Sequence, residues 1–204
     1  MEIKNSFNIN NYVVIRQFLD RNMANFMYEY VKNKALYATY MQTNFPEDYK
    51  DTSYGVGHFA DEQCFGAYSC YGDMMFDTLL VSATGKMNEY TGLELNPQYS
   101  YFRLYEKESV LKKHKDRESC EISTTLCLGY NSHYNWPLYI DGKSIELEPG
   151  DMVIYKGCDV EHWREPFEGL NHAQVFLHYN DKNGKYKHQI LDGRNMIGLR
   201  SENK

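Results

Sequence analysis

Residues 110–123 read VLKKHKDRESCEIS, and the decisive feature is a histidine and an aspartate two apart, His114 and Asp116. Successive side chains of a strand point to opposite faces, so residues i and i+2 share one face. If VLKKHKD is extended, an imidazole and a carboxylate stand side by side and can take two corners of one metal. The third ligand has to come from another strand. The best placed is His162, in CDVEHWREPFEG (158–169), directly after the apolar stretch DMVIYK (151–156). Two histidines and one carboxylate leave the other coordination positions open, which suits non-haem Fe(II) in oxygen chemistry. An isolated HxD is common by chance, so its weight depends on the surrounding pattern.

That pattern is β-rich. From Tyr99 onward the segments YSYFRLYE, VLKKHKD, EISTTLCLGY, WPLYI, KSIEL, DMVIYK, HAQVFLHY and KYKHQI are short and rich in β-branched and aromatic residues. Gly, Pro, Asn and Asp punctuate them, and DGKS (141–144) and EPGD (148–151) predict tight turns. Upstream, NYVVIRQFLD (11–20) starts as a strand. Asp20 is placed to cap a helix with Met23, Phe26, Met27, Tyr30 and Val31 as its apolar stripe. Asp73 is placed to cap a second helix with Phe76, Leu79, Leu80, Ala83 and Met87 on one face, weakened by Gly85. Residues 42–72 predict mostly loop, and Leu95–Pro97 a break. Two helices followed by about eight short strands predict an α+β chain: an antiparallel sandwich or barrel with the N-terminal helices packed on one sheet.

The totals agree with one domain across 1–204, a helical support over about 1–95 and a β core over about 96–195. A net charge of −6 argues against a general nucleic-acid binder, which would show a basic face. No apolar run approaches the ~20 residues of a membrane helix, and MEIKNSFNIN has no signal-peptide core. The five cysteines, Cys64, Cys70, Cys120, Cys127 and Cys158, are odd in number and form no CxxC, which predicts a reduced, cytoplasmic setting. Cys120 and Cys127 are seven apart, which on a strand means opposite faces and core positions rather than a zinc pair. Nineteen tyrosines predict a core with polar points in it, because buried hydroxyls need partners.

On these residues the chain resembles the 2-oxoglutarate/Fe(II)-dependent dioxygenase superfamily, and within it the prolyl-4-hydroxylase-like branch. The resemblance rests on the HxD of His114 and Asp116 and on Tyr105, nine residues before that histidine. It rests also on the turn Pro149-Gly150-Asp151 leading into the strand before His162, and on Pro166, four residues after it. The opening VVIRQFLDRNMANFMYEYV is similar to the strand and helix that begin such domains. The resemblance implies a double-stranded β-helix (jelly-roll, cupin-like) core, with His114, Asp116 and His162 as metal and catalytic residues. It implies Fe(II), with 2-oxoglutarate and O2 as co-substrates, and a place for ascorbate. The reaction implied is hydroxylation of a C–H bond with release of succinate and CO2. The retained carboxylate, Asp116, implies hydroxylation rather than halogenation. The substrate implied is a peptidyl proline or other protein residue, or a small molecule.

One departure stands out. The family carries a lysine or arginine about ten residues after the distal histidine, pairing with the far carboxylate of 2-oxoglutarate. Here that residue is His172, and HAQVFLHY holds no lysine or arginine. Three residues compete for the role: His172 as cation or donor, Arg164 two residues past His162, and Arg103 on the strand face of Tyr105. Tyr105 is a further donor to the co-substrate. The weak anchor keeps open a metal-binding cupin-like barrel without 2-oxoglutarate turnover. Arg117 and Glu121 are placed at the mouth of the site, where a solvated loop is the plainer reading. Trp136 and Trp163 flank the site, with core packing the plainer reading.

Overall fold

The computed structural model describes residues 2–199; for residues 2 and 51–54 it describes the backbone alone. Its β-strands form two antiparallel sheets that face each other. The larger runs β1 (Tyr12–Ile15), β8 (Met152–Lys156), β5 (Ile122–Asn131), β10 (Asn171–Asp181), β3 (Leu95–Glu106) and β2 (Tyr68–Tyr71), in that spatial order. The smaller runs β4 (Leu111–His114), β9 (His162–Arg164), β6 (Leu138–Ile140) and β7 (Lys143–Ile145).

Strand alternation divides the side chains of the large sheet into two sets. On β3 and β10, Phe102, Leu104, Ala173, Val175, Leu177 and Tyr179 point out to the helices and join one apolar core. Tyr105 and Phe176 point between the sheets and join a second core with Trp136, Leu138, Ile140 and Phe167. The interior set also carries the polar residues: Tyr99, Tyr101 and Arg103 on β3, and His172, Gln174 and His178 on β10. A sheet covered on both faces explains why the strands are buried nearly throughout.

The outer face is covered by α2 (Arg21–Asn44) and α4 (Met74–Thr91), joined by α1 (Glu2–Asn10) and α3 (Pro46–Val56). The Asp20 carboxylate accepts from the N–H groups of Asn22 and Met23, both at 3.0 Å, a cap worth ~1 kcal/mol. Asp73 caps α4 through the Met75 N–H. The buried stripe of α2 is Ala24, Met27, Val31, Ala35 and Ala38, not the expected Met23 and Phe26, which are 44% and 61% exposed. Small residues let the helix sit close to the sheet. At Gly129 on β5, an added Cβ would lie 2.7 Å from Cγ of Tyr28.

The two expected turns are where they should be. Asp141 and Gly142, both at positive φ, close the β6–β7 hairpin in the manner of a two-residue turn. Gly150 (φ +96°) lies where a Cβ would meet the Leu19 carbonyl oxygen at 2.4 Å, and Leu19 N–H donates to the Gly150 carbonyl. Asp151 then accepts from Arg16 at 2.6 Å and from the Gln17 N–H at 2.9 Å. The Pro-Gly-Asp turn thus fastens the β1–α2 connection to the barrel.

Three expectations need correction. The 42–72 region is not mostly loop: it holds the end of α2, all of α3, and β2. Leu95–Pro97 is the start of β3 rather than a break. Proline donates no ladder bond, and the register shifts between His178 and Tyr179, opposite this stretch, as a bulge. KYKHQI (185–190) forms turns, not a strand, while His162–Arg164, outside the expected strands, forms β9. The polar N-terminus forms α1, whose Phe7 is fully buried.

Candidate metal centre

β4 and β9 are neighbours in the smaller sheet, and their register sets His114 opposite His162. The ring centroids are 4.2 Å apart. Asp116 reaches the pair by a different route from the simple pleat: β4 ends at His114, and the Asp116 N–H donates to the Gly157 carbonyl at 2.9 Å. That bond, just beyond the strand end, holds the residue where its carboxylate meets the imidazoles. Asp116 Oδ1 lies 3.6 Å from His114 Nε2 and 3.4 Å from His162 Nε2, and one ligand atom from each residue falls within 4.8 Å of the others.

The rings are also oriented. His114 Nδ1 is 2.7 Å from the Lys112 carbonyl and His162 Nδ1 is 3.2 Å from that of Val160. A carbonyl only accepts, so Nδ1 carries a proton and Nε2 faces the centre, where it can donate to Asp116 or give its lone pair to a metal, the orientation metal-ligating imidazoles require. Burial opposes charge on Asp116, but hydrogen bonds from His114 and His162 and the nearby imidazole charges hold its carboxyl far below the usual range. Burial also opposes charge on His114. The Asp116 hydrogen bond and the Lys112 carbonyl outweigh it and raise the imidazole above its ordinary value. A carboxylate kept ionised beside two imidazoles fits a divalent cation, and the donor set suits Fe(II).

A second grouping, Asp116, Cys120 and His178, also brings its ligand atoms within 4.8 Å. It is not an open donor set. The Ser123 hydroxyl stands between Asp116 Oδ2 (2.7 Å) and His178 Nδ1 (3.0 Å). Cys120 Sγ meets the Tyr99 hydroxyl at 3.0 Å, and burial keeps its thiol protonated.

The metal candidates open into a cleft of about 380 Å³ that runs between the sheets past Tyr101, Arg103, Thr125, Tyr155 and Phe176. Arg103 is not free there. It pairs with Asp61 and donates to the Tyr105 hydroxyl at 3.1 Å. Asp61 comes from the segment between α3 and β2, with no motif to announce it, and also accepts from the Tyr101 hydroxyl at 2.6 Å. Burial would raise its carboxyl, but the Arg103 charge holds it low.

Arg164 differs. β9 places it on the same inward face as His162, and it is 1% exposed. Its guanidinium donates to the Trp136 carbonyl and lies 4.6 Å over the Trp136 ring. Its Nε has no hydrogen-bond partner, and among the described residues it forms no ion pair. Burial lowers its proton affinity; the nearby Tyr105 opposes this and the Arg103 charge adds to it. Nearby on β10, neither amide atom of Gln174 and neither ring nitrogen of His172 has a partner among the described residues. His172 packs against Tyr130, Trp136 and Phe167. Burial, then the Arg164 charge, push its proton affinity far down, so toward an anion it serves as an N–H donor rather than as a cation. Tyr105 is fully buried, edge-on to Trp136. A buried, unpaired cation with orphaned polar atoms on the facing strand is costly without an anion.

The mouth residues are otherwise engaged. Arg117 grips Asp192 with two bonds of 2.6 and 2.7 Å, and Glu121 accepts from the Asp181 N–H. Trp136 is core, while Trp163 stacks on Tyr139 at 5.2 Å, half-buried.

At the level of sequence no family model and no curated protein matches the chain. Solved structures do. A prolyl-4-hydroxylase from Pseudomonas putida aligns at 17% identity and TM-score 0.57, over 88% of this chain and 97% of that one. HygX from Streptomyces hygroscopicus, solved with nickel, 2-oxoglutarate and hygromycin B, aligns at 9% identity and TM-score 0.65, over 90% and 88%. The carbocyclase SnoK of nogalamycin biosynthesis aligns at 12% identity and TM-score 0.67, over 100% and 93%. The chain has the double-stranded β-helix fold of the 2-oxoglutarate/Fe(II) oxygenases.

Proposed function

We propose that the chain is a 2-oxoglutarate- and Fe(II)-dependent oxygenase that hydroxylates a C–H bond. The observation that carries the reading is the convergence of His114, Asp116 and His162, with both Nε2 atoms facing the centre, at a cleft between the sheets. His114 Nε2, His162 Nε2 and Asp116 Oδ1 are the atoms that would hold iron. Bound iron and 2-oxoglutarate supply oxygen activation, with succinate and CO2 as the co-substrate's products. The chain supplies the rest. Arg164 offers a desolvated guanidinium to the far carboxylate of the co-substrate, where a bidentate pair is strongest. Tyr105 stands near it as a further donor, and His172 adds a ring nitrogen. The apolar wall of Leu138, Tyr155 and Phe176 limits water at the reacting end. Arg103 serves less well as anchor because Asp61 already neutralises it.

The substrate belongs to the same reading. Similar folds include a prolyl hydroxylase from Trichoplax adhaerens, solved with a peptide fragment, and HygX with hygromycin B. A peptidyl residue, proline first, is the substrate we favour, with a small molecule as the other class. A reducing, cytoplasmic setting fits the five free cysteines.

The test is an anaerobic titration of the Fe(II)-loaded protein with 2-oxoglutarate, followed by the metal-to-ligand charge-transfer band. A band that is lost in His114→Ala and Asp116→Ala is the expected result. Tight metal binding with no band would support instead a metal-binding barrel without 2-oxoglutarate turnover, the reading that the missing cation on β10 favours.

A further inference from the structure

The buried polar residues behind Asp116 form a directed chain. A hydroxyl has one proton to give. Ser123 Oγ lies 2.7 Å from Asp116 Oδ2, 3.0 Å from the Cys120 carbonyl and 3.0 Å from His178 Nδ1. A carboxylate that ligates a metal has only acceptors to offer, so the short contact is Ser123 O–H donating to Asp116 Oδ2. The contact with His178 must then run the other way, with Nδ1–H donating to Ser123 Oγ. The protons are ordered as His178 Nδ1–H, Ser123 Oγ–H, Asp116 Oδ2. The antiparallel register sets Ser123 on β5 opposite His178 on β10, so two adjacent strands of the large sheet hold both links.

The far wall is closed. A Cβ on Gly157 would sit 2.3 Å from Asp116 Oδ2, 2.4 Å from the Cys120 carbonyl oxygen and 2.7 Å from Ser123 Oγ. His178 is packed 4.6 Å from the Tyr99 ring, and Ser123 is fully buried. The carboxylate is therefore held from behind by one hydroxyl in a slot that fits only glycine opposite.

We infer that Ser123 and His178 are positioning residues for Asp116, reserving Oδ2 for the relay so that the carboxylate offers a metal Oδ1 alone. A carboxylate free to rotate could bind through both oxygens and fill a position that the co-substrates need. Hydrogen bonds to a ligating carboxylate also set its orientation. The inference rests on the metal centre proposed above and adds two residues, from strands that carry none of its ligands, to its function.

The experiment measures Co(II) affinity by competition with a chromophoric chelator, and the Co(II) visible spectrum, which reports coordination geometry. Ser123→Ala and His178→Leu are expected to weaken Co(II) binding about 10- to 100-fold and to alter the spectrum. His178→Asn keeps an N–H near the place of Nδ1 and is expected to stay within about threefold of the unaltered protein. The thermal midpoint of each metal-free variant separates lost folding from lost positioning. If Ser123→Ala does not fold, the His178→Asn and His178→Leu pair decides. Unaltered affinity and spectrum in Ser123→Ala, or equal losses in His178→Asn and His178→Leu, overturn the relay while leaving the metal centre standing. Failure of the unaltered protein to bind Co(II) overturns both.

Discussion

Replacing Arg164 by methionine sets stability against binding. The side chain is buried, its Nε is unpaired, and its only protein hydrogen bond among the described residues is to the Trp136 carbonyl. Methionine fills much of the same volume with a flexible apolar chain. Exchanging a buried charge for an apolar residue is often neutral or stabilising by ~1–4 kcal/mol. Against that stand the lost bond to Trp136, ~1 kcal/mol, and the cation–π contact, ~0.5–2 kcal/mol. These terms nearly cancel, so the net change without co-substrate is expected within about 2 kcal/mol of zero, or a thermal midpoint moved by no more than roughly 4–8 °C for a chain of this size. Binding carries the loss. Two charge-assisted bonds to a carboxylate, ~1.5–2 kcal/mol each, are lost, which weakens 2-oxoglutarate binding roughly 100- to 1000-fold. Thermal melts of the co-substrate-free protein and calorimetric titration of the Co(II)-loaded protein with 2-oxoglutarate check the two halves. A variant destabilised beyond that range yet binding 2-oxoglutarate as before would refute the reasoning, making Arg164 a structural cation and moving the anchor to Arg103.

Three further outcomes follow from the same structure. His162→Ala removes one of two imidazoles and is expected to cost at least 100-fold in Co(II) affinity by the chelator assay, on the order of two decades for a lost ligand beyond what an outer partner costs. Gly157→Ala places a methyl 2.3 Å from Asp116 Oδ2; it should lower the unfolding free energy by ~1–3 kcal/mol and abolish tight metal binding, and a variant with unchanged affinity contradicts this. Asp192→Asn tests the clamp on Arg117. Burial would raise the Asp192 carboxyl, but the Arg117 bonds lower it from 3.8 to about 2. At ~1.4 kcal/mol per unit, discounted because Arg117 is 39% exposed, the pair contributes about 1–2 kcal/mol. A depressed carboxyl stabilises above its unfolded value, so the difference from Asp192→Asn in urea unfolding should be full above pH 4 and vanish toward pH 2. A difference that does not vary with pH counts against it.

The candidate metal ligands were legible because a short spacing and a turn mark them. A histidine and an aspartate two apart, and a histidine after a Pro-Gly-Asp turn, are patterns that a linear sequence carries, although the bond to Gly157 beyond the end of β4, not the pleat, places Asp116. Helix caps at Asp20 and Asp73 were legible for the same reason: a cap is made within three residues of itself. The misplaced stripe of α2 shows the limit. Met23 and Phe26 fit a helical period as well as Ala24 and Ala35 do, and the close approach of the helix to the sheet, with Tyr28 against Gly129, decides which face is covered.

The anchor and the relay were out of reach for a stronger reason. Arg164, Arg103 and His172 are equivalent as letters. They differ because Asp61, from the segment between α3 and β2, neutralises Arg103, because aromatic rings strip water from His172, and because Arg164 finds no carboxylate among the described residues. Ser123 and His178 are 55 residues apart, and no spacing rule joins them; the register of β5 against β10 does. The sequence by itself determined the alternation that puts ligands and tyrosines on inward faces, the turns, and the identity of the donors. The tertiary structure alone decided which charges are paired, which are desolvated, and which proton each donor gives, because those depend on neighbours brought together by sheet register rather than by the chain.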